Sequence, residues 1–456
     1  MPVSPLPPEL WREILDIATQ DDPLLEPALL GPLAKSSWYE MVFGDWWLRR
    51  PHEALQIRQR QSYALKKAFT QTCTLFARVG AEYLYRSILV SDPRRLQKLC
   101  SVLDVNTNMG HWTKAIYIYW DERLGVRDLG SMDDCVVSLV RHCPNLQVFM
   151  VDPKIGPGSF LSIADALRTH CSASLRLIQW KITFTNQTKV VPAISSMRNL
   201  VAIQLEINYP AMEGNTSFPG IRQMLDVSFP HLKQLSLRGA VQDFAEQITM
   251  WHMPELTSLT LDFKACRHDF PDVLEVLTTH GPQLDMLDLN AIPTLDVRSI
   301  LTICPNLTTF CFSLDWQLEG NLVEGPHRKL QNIGLYGLRH AFGVGFAGEV
   351  AQVNPFEAVI MRRRNDMNFI ALDKNNFPSL CLIRVLEPGL LNDLNKNNGP
   401  ATGISAGYSR WERWWDQCSR QRIRLEDCTG NLLGTLPQRE DDLEDYESEV
   451  SDSTVD

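Results

Sequence analysis

The residues whose types and spacing could do chemistry are a glycine-rich hexamer and three pairings of histidine with cysteine. The hexamer is Gly343-Val344-Gly345-Phe346-Ala347-Gly348, which matches the GxGxxG string. That string binds pyrophosphate where it joins a strand to a helix inside a Rossmann unit. No Rossmann unit surrounds it here, because the hexamer lies inside a register of shorter repeats. Dinucleotide binding is therefore not predicted.

The histidine–cysteine pairings are candidates for a zinc site. His142-Cys143 and His170-Cys171 occupy the same helix-end position in successive repeats, and Cys266 lies two residues before His268. Zinc sites gather four ligands at tight local spacing, which these pairings lack, so we interpret them as repeat packing. No HExxH or Walker-type string occurs. The sequence thus predicts no catalytic residue, no metal, no cofactor and no enzyme.

Most of the chain repeats a short pattern, apolar-x-x-apolar-x-apolar, often with a proline two residues before its first position. Successive first positions are 23 to 32 residues apart, which overlaps the roughly 20–29-residue period of leucine-rich repeats. An earlier copy carries Ile116 and Ile118. The ten other copies begin at Leu146, Leu175, Leu200, Leu232, Leu256, Leu284, Leu307, Leu330, Phe356 and Leu380.

Each copy fits one short strand combined with one helix. Alternation at Leu235 and Leu237 suits a strand with one buried face, and residues 133–142 space their apolar groups as a helix does. One such unit cannot bury its own hydrophobic stripe, whereas a stack of them can. The sequence therefore predicts an α/β fold, a leucine-rich-repeat solenoid over residues 91–435. An ordinary α/β protein with leucine-rich strands is the alternative.

A tryptophan stripe lies near the end of that range. Trp411, Trp414, Trp415 and Cys418 fall on one face of a helix predicted within residues 408–424. Stacked repeats need covered ends, so we predict a C-terminal capping helix. The alternative is an exposed docking stripe.

Charge argues against a nucleic-acid partner. The formal net charge is -10, and residues 440–456 contribute nine acids without a Lys or Arg, which leaves the other 439 residues at -1. A nearly neutral body lacks the clustered cations that nucleic acid requires. Residues 436–456 are predicted to form a disordered acidic tail.

Cysteine usage and hydropathy predict the compartment. The eleven cysteines are scattered without a CxxC pair, and the opening MPVSPLPPEL has neither a charged nor an apolar signal region. No uncharged apolar run reaches the roughly 18 residues of a membrane helix. We expect a cytoplasmic or nuclear protein that does not associate with a membrane.

The N-terminal segment from Leu6 to Ala18 predicts an amphipathic helix. Two prolines suit the entry and first turn of a helix, and Leu10, Ile14 and Ile17 line one face at spacings of four and three. Such a helix is either a docking element or part of a core. Physics alone favours the core.

A resemblance to a known motif favours the docking interpretation. The segment resembles the opening LPxEL(L/W)xxI(L/F) of the F-box motif, and residues 68–76 with 81–88 are similar to its second half. Cys73 and the run 84–88 match, whereas Thr72, Thr74 and Phe76 depart from the usual residues. The halves are separated by an apparent inserted loop around residues 21–60. We therefore predict a small all-α F-box-like region over residues 1–90.

The resemblance implies a function. F-box proteins are substrate-recognition adaptor subunits of SCF-type ubiquitin ligases: the F-box binds the Skp adaptor, and through it a cullin scaffold, while the repeats bind a target protein. Carried over by position, the implied adaptor contacts are Leu6, Pro7, Leu10, Ile14, Leu15, Leu75 and Phe76. The alternative is a leucine-rich-repeat interaction scaffold that recruits no ligase.

Overall fold

The computed structural model of the chain describes residues 6–19, 22–41, 44–119, 129–155, 159–183, 187–208, 227–239, 247–263, 272–290, 297–314, 325–402 and 407–433. Its contacts divide into two compact units, Met1–Leu29 with Leu55–Met286, and Leu30–Ala54 with Leu287–Asp456. The predicted acidic tail lies outside the described residues.

The described part of the chain is mixed α/β. Its helices are α1 (Pro8–Thr19), α2 (Asp22–Leu25), α3 (Pro51–Thr72), α4 (Thr74–Arg86), α5 (Pro93–Val105), α6 (Leu129–His142), α7 (Ser159–His170), α8 (Gln187–Ser195), α9 (Asp272–His280), α10 (Val297–Ile303), α11 (Phe346–Val353), α12 (Pro355–Ile370), α13 (Pro388–Lys396) and α14 (Gly407–Arg420). Among these helices, none has both the length and the apolar character needed to cross a bilayer.

The described strands are short. They are β1 (Ser37–Glu40), β2 (Trp46–Arg49), β3 (Ser87–Val90), β4 (Ala115–Ile118), β5 (Val148–Ile155), β6 (Leu177–Thr183), β7 (Ala202–Asn208), β8 (Gln234–Gly239), β9 (Ser258–Asp262), β10 (Met286–Asn290), β11 (Thr309–Ser313), β12 (Asn332–Tyr336), β13 (Leu382–Val385) and β14 (Arg424–Glu426).

In each unit the strands from β3 onward run parallel and follow chain order. In the first unit the pairing runs from β3 through β9, and in the second from β11 through β14. The register of the first unit aligns Ile116, Phe149, Ile178 and Ile203, all fully buried. Aligned side chains of this kind form one apolar column behind the strands.

The predicted repeat accounts for the strands β4 to β13. Nine of the ten copies after Ile118 are confirmed as strands, and each strand begins two residues after the first leucine of its copy, as β5 does after Leu146. The earlier copy is β4. Helices α6, α7 and α8 connect β4 to β7 in alternation, so the predicted combination of strand and helix is present.

The strand predicted for the copy at Phe356 is wrong, because the helix α12 occupies that position. Pro355 stands in the first turn of the helix, where its missing N–H is not needed, and the Asn354 side chain accepts a hydrogen bond from the Glu357 N–H at 3.3 Å. These two signals begin a helix, and Phe356 is exposed rather than buried. Strand β12 consequently pairs directly with β13.

The prediction of an all-α region over residues 1–90 with a loop around residues 21–60 is also wrong. The segment contains α2 and an antiparallel hairpin in which β1 pairs with β2, with Ser37 opposite Arg49. Helix α3 then begins at Pro51, inside the predicted loop. Proline-rich composition was therefore a poor guide, since proline here marks helix entry as well as loop.

Gly239 at the end of β8 supports one prediction about stability. It has a φ of +86°, and an added Cβ would overlap the carbonyl oxygen of Ile207 on the paired strand. We expect Gly239→Ala to lower the free energy of unfolding by at least about 2 kcal/mol, because strain and overlap add. Urea unfolding of the variant and of the unmodified chain measures this difference in free energy. Gly389→Ala, with open space around its Cβ, is the matched control, and an equal effect in both would contradict the account.

Candidate functional site

An exposed apolar row lies along α1 and the residue that precedes it. Leu6, Leu10 and Ile14 are each 43% exposed and Ile17 is 71% exposed; we call these four residues the α1 face. Leu10, Ile14 and Ile17 recur at helical spacing on one side of α1. Isolated exposed leucines are ordinary, but a contiguous apolar row marks an interaction surface.

The opposite side of α1 packs on α4. Leu15 is 1% exposed and forms a small core with Val79 and Tyr83. Trp11 meets the edge of the Phe76 ring, with ring centroids 4.6 Å apart. This packing holds α1 by one side only, and it leaves the α1 face uncovered among the described residues.

Two polar contacts fix the position of α1 on α4. The Tyr83 hydroxyl donates to the Arg12 carbonyl at 2.8 Å, and Arg86 forms an ion pair with Asp16 at 2.6 Å. Burial, and then the neighbouring Asp16 carboxylate, raise the pKa of Tyr83 to about 12. The phenol therefore stays a neutral donor over the physiological pH range.

Tyr83 supports a second prediction. We expect Tyr83→Phe to reduce the free energy of unfolding by about 1 kcal/mol, because the Arg12 carbonyl loses its donor. Since the folded-state pKa exceeds that of a free tyrosine, the stabilisation is complete below pH 10.0 and is lost as the pH rises through about 12. Urea unfolding at pH 7 and an alkaline absorbance titration measure the two effects. Tyr63→Phe, an exposed site, is the control, and a loss as large there would contradict the assignment.

The predicted contact residues separate into three groups. Pro7 and Leu75 are exposed, as are Leu6, Leu10 and Ile14. Phe76 is half-buried and stacks on Phe69, with ring centroids 4.2 Å apart. The inclusion of Leu15 is corrected, because it lies in the core behind the helix. Ile17 is not among the predicted adaptor contacts, but it belongs to the α1 face.

A second feature concerns the strands of the first unit. Residues 24–29, which we call the covering segment, lie against the strand face opposite the repeated leucines. The Leu24 carbonyl accepts from the Tyr117 hydroxyl, and the Leu29 N–H donates to the Gln234 side chain at 2.7 Å. Leu25 and Leu29 pack on a buried cluster. The cluster consists of Ala115, Tyr117, Val148, Met150, Leu177 and Ala202.

The second unit has a comparable contact within itself. The Leu33 carbonyl accepts from Arg384 on β13, and the Ser36 N–H donates to the Cys428 carbonyl at 2.9 Å. Arg384 also pairs with Glu426 on β14 at 2.6 Å, both side chains being buried. The sequence does not indicate these contacts, because the composition of the segment predicts only a loop.

The glycine-rich hexamer leads into α11. Gly345, with a φ of +52°, precedes the helix, and an added Cβ there would overlap the carboxylate of Asp393. A carboxylate of the chain itself therefore lies where a phosphate would approach the positive end of the helix. This arrangement argues against a pyrophosphate site.

The cysteines beside histidine are buried packing residues. Cys143 and Cys171 are fully buried, and the Cys171 thiol donates to the Cys143 carbonyl at 3.3 Å. Burial raises the pKa of each of the two thiols to about 12, so both are neutral packing groups. Cys266 and His268 lie outside the described residues. Within the described ranges, no group of three or more His, Cys, Asp or Glu residues is arranged to hold a metal ion.

The tryptophan stripe of α14 packs inward. Trp414 is buried and stacks on Phe369 of α12 with ring centroids 4.2 Å apart, while Trp411 and Trp415 are half-buried. The Trp414 side chain also donates to Asp366 at 3.2 Å. The stripe therefore contributes to packing rather than to an open docking surface.

Comparison with known proteins returns no relative: neither the protein-family models nor the curated proteins include a match to this chain.

Proposed function

We propose that this chain is the substrate-recognition adaptor subunit of an SCF-type ubiquitin ligase. In this proposal the α1 face binds the Skp adaptor, and through it a cullin scaffold, while a leucine-rich-repeat solenoid binds a target protein. The observation that carries the proposal is the α1 face itself, four apolar side chains exposed in one row. They fall within the residues that resemble the F-box opening.

The arrangement of α1 supports a docking role. A helix that served only the core would turn its apolar residues toward α4, as Leu15 does. Leu10 and Ile14 instead lie on the opposite side, where burial of their exposed 43% against a partner would contribute about 1 kcal/mol each. Trp11, Phe69 and Phe76 form the rigid aromatic support behind them. A pre-organised helix loses little entropy on binding.

The repeat region supports the recognition role. Parallel strands in chain order, with β4 to β13 each from one copy of the repeated pattern, are typical of a leucine-rich-repeat solenoid. We infer that the target does not bind the strand face covered by residues 24–29. It binds other surfaces of the repeats, and those are formed by residues that differ from copy to copy.

In this proposal the chain contributes proximity rather than chemistry. It holds a lysine of the target near the ubiquitin carrier, which raises the effective concentration of the reacting groups. Other subunits transfer ubiquitin, so this subunit needs no catalytic residue. The proposed compartment is the cytoplasm or the nucleus, where such ligases act.

The proposal is tested by mixing the purified full chain with purified Skp adaptor and measuring the mass of the product by light scattering after gel filtration. We expect one complex containing one copy of each. The alternative, a repeat scaffold that recruits no ligase, predicts that the two proteins elute separately. Separate elution at concentrations of about 10 μM would overturn the ligase proposal, because specific complexes of this kind bind more tightly than that.

A further inference from the structure

A cavity of about 720 Å³ lies in the first unit, where α3 and α4 meet β3 and α5. Its volume is that of a small-molecule site. Its walls come from the covering segment at Leu24, from α3, and from residues 84–99. The cavity is separate from the α1 face, none of whose residues line it.

The buried side of helix α3 is polar. Its buried residues are Gln59, Ser62 and Lys66, three polar side chains at spacings of three and four, and all three line the cavity. The buried face of a surface helix is normally apolar. A polar stripe beside a cavity is typical of a binding site, where a few convergent polar groups orient a ligand.

Two members of that stripe are informative. Lys66 is only 3% exposed, although lysine is among the residues least often buried. The side-chain carbonyl of Gln59 is buried without a hydrogen-bond partner in the structure. A buried acceptor of this kind costs stability unless something donates to it, so the cavity suits a ligand with a hydroxyl or protonated oxygen.

The charges around the cavity have one sign. Arg60, Lys67 and Arg95 line it with exposed side chains, and no Asp or Glu occurs among its described lining residues. Three exposed cations around one space repel one another. An anion in the cavity would relieve that repulsion and form charge-assisted hydrogen bonds.

The other walls are apolar or aromatic. Leu84, Ile88 and Leu99 line the cavity together with Tyr63 and Tyr85. Burial, and then the neighbouring Tyr63, raise the pKa of Tyr85, so its phenol is a neutral donor. A hydrated inorganic ion would leave these walls without a partner, whereas a hydrocarbon body would cover them.

We propose that this cavity binds an amphipathic organic anion, with its charged oxygens toward the cationic side chains of α3 and α5 and its hydrocarbon body against α4 and β3. The covering segment, α3 and β3 would all contact the same ligand. The inference is independent of the ligase proposal, since it uses none of the α1 face.

The test is calorimetric titration of the full chain with decyl phosphate below its micellar concentration. Inorganic phosphate, which has only the charged group, and decanol, which has only the hydrocarbon chain, are titrated separately for comparison. We expect saturable one-to-one binding of decyl phosphate, at least about tenfold tighter than that of either comparison compound, because charge and apolar area both contribute. Arg95→Glu and Lys67→Glu, both at exposed positions, are each expected to weaken binding at least about tenfold.

The matched control is Arg94→Glu, one residue earlier on α5, exposed and outside the cavity lining. It is expected to bind decyl phosphate as the unmodified chain does. The proposal is overturned by the absence of saturable binding, by equal affinity for inorganic phosphate, or by unchanged affinity in the Arg95 and Lys67 variants. Thermal melting of each variant verifies that it is folded, and Skp adaptor binding is expected to be unaffected in all of them.

Discussion

Replacing Leu10 and Ile14 together by aspartate is expected to weaken binding of the Skp adaptor by at least about 100-fold. Each of these side chains has 43% of its surface left to bury, so each contributes about 1 kcal/mol in an interface and removing two costs about 2 kcal/mol. Each new carboxylate must also lose water without gaining a partner. Titration of the adaptor against the immobilised full chain, with the dissociation constant as the readout, measures the effect.

The double variant is expected to fold, because neither side chain belongs to the small core of Leu15, Val79 and Tyr83. The matched control is Val353→Asp at the end of α11, where the side chain is 87% exposed. It adds a carboxylate to an apolar surface position away from the α1 face and is expected to leave adaptor binding unchanged. If the double variant binds as tightly as the unmodified chain, the α1 face is not the adaptor site.

The second large effect is expected at Arg384. Its guanidinium is buried against Glu426 at 2.6 Å and donates to the Leu33 carbonyl. Arg384→Ala is expected to lower the free energy of unfolding by about 3–5 kcal/mol, because it leaves a buried carboxylate without its principal partner. Urea unfolding followed by circular dichroism measures it.

Arg424 provides a control on the same carboxylate. Its guanidinium lies 2.8 Å from Glu426, but its side chain is largely exposed. Arg424→Ala is therefore expected to cost less than about 1 kcal/mol, as exposed ion pairs do. Equal losses in the two variants would show that burial does not decide the strength of these pairs, and the role assigned to Arg384 would be wrong.

The strands were predictable because their signal is local and periodic. Each copy places apolar residues at alternate positions of a short segment, and nine strands begin two residues after the residue that opens the pattern. The exception at Phe356 has a local cause as well. Asn354 and Pro355 form a helix start, and a weak apolar pattern did not outweigh those two signals.

The contacts of residues 24–36 could not be predicted in the same way. Leu29 meets Gln234, and Leu33 meets Arg384, more than 200 positions along the chain in each case. Neither the prolines nor the leucines of this segment indicate which distant strand they meet. Their composition predicts only irregular backbone, and the partners are fixed by the tertiary fold.

The α1 face was partly predictable. Helical spacing alone selects Leu10, Ile14 and Ile17, which are exposed together. The resemblance added Leu15, which follows Ile14 by about 100° around the helix and so points toward α4. Periodicity identified the face correctly, whereas matching a motif by position did not separate its two sides. The cationic cavity had no local signal, since its lining comes from separate segments.

The most direct measurement of the central claim is hydrogen–deuterium exchange of the full chain with and without purified Skp adaptor. If the α1 face is the docking surface, the adaptor slows amide exchange across Pro8–Thr19, while the strands β4–β8 exchange as they do in the free chain. Unchanged exchange in α1 on adding saturating adaptor, or protection confined to the strands, would contradict the proposal that this chain is an F-box subunit.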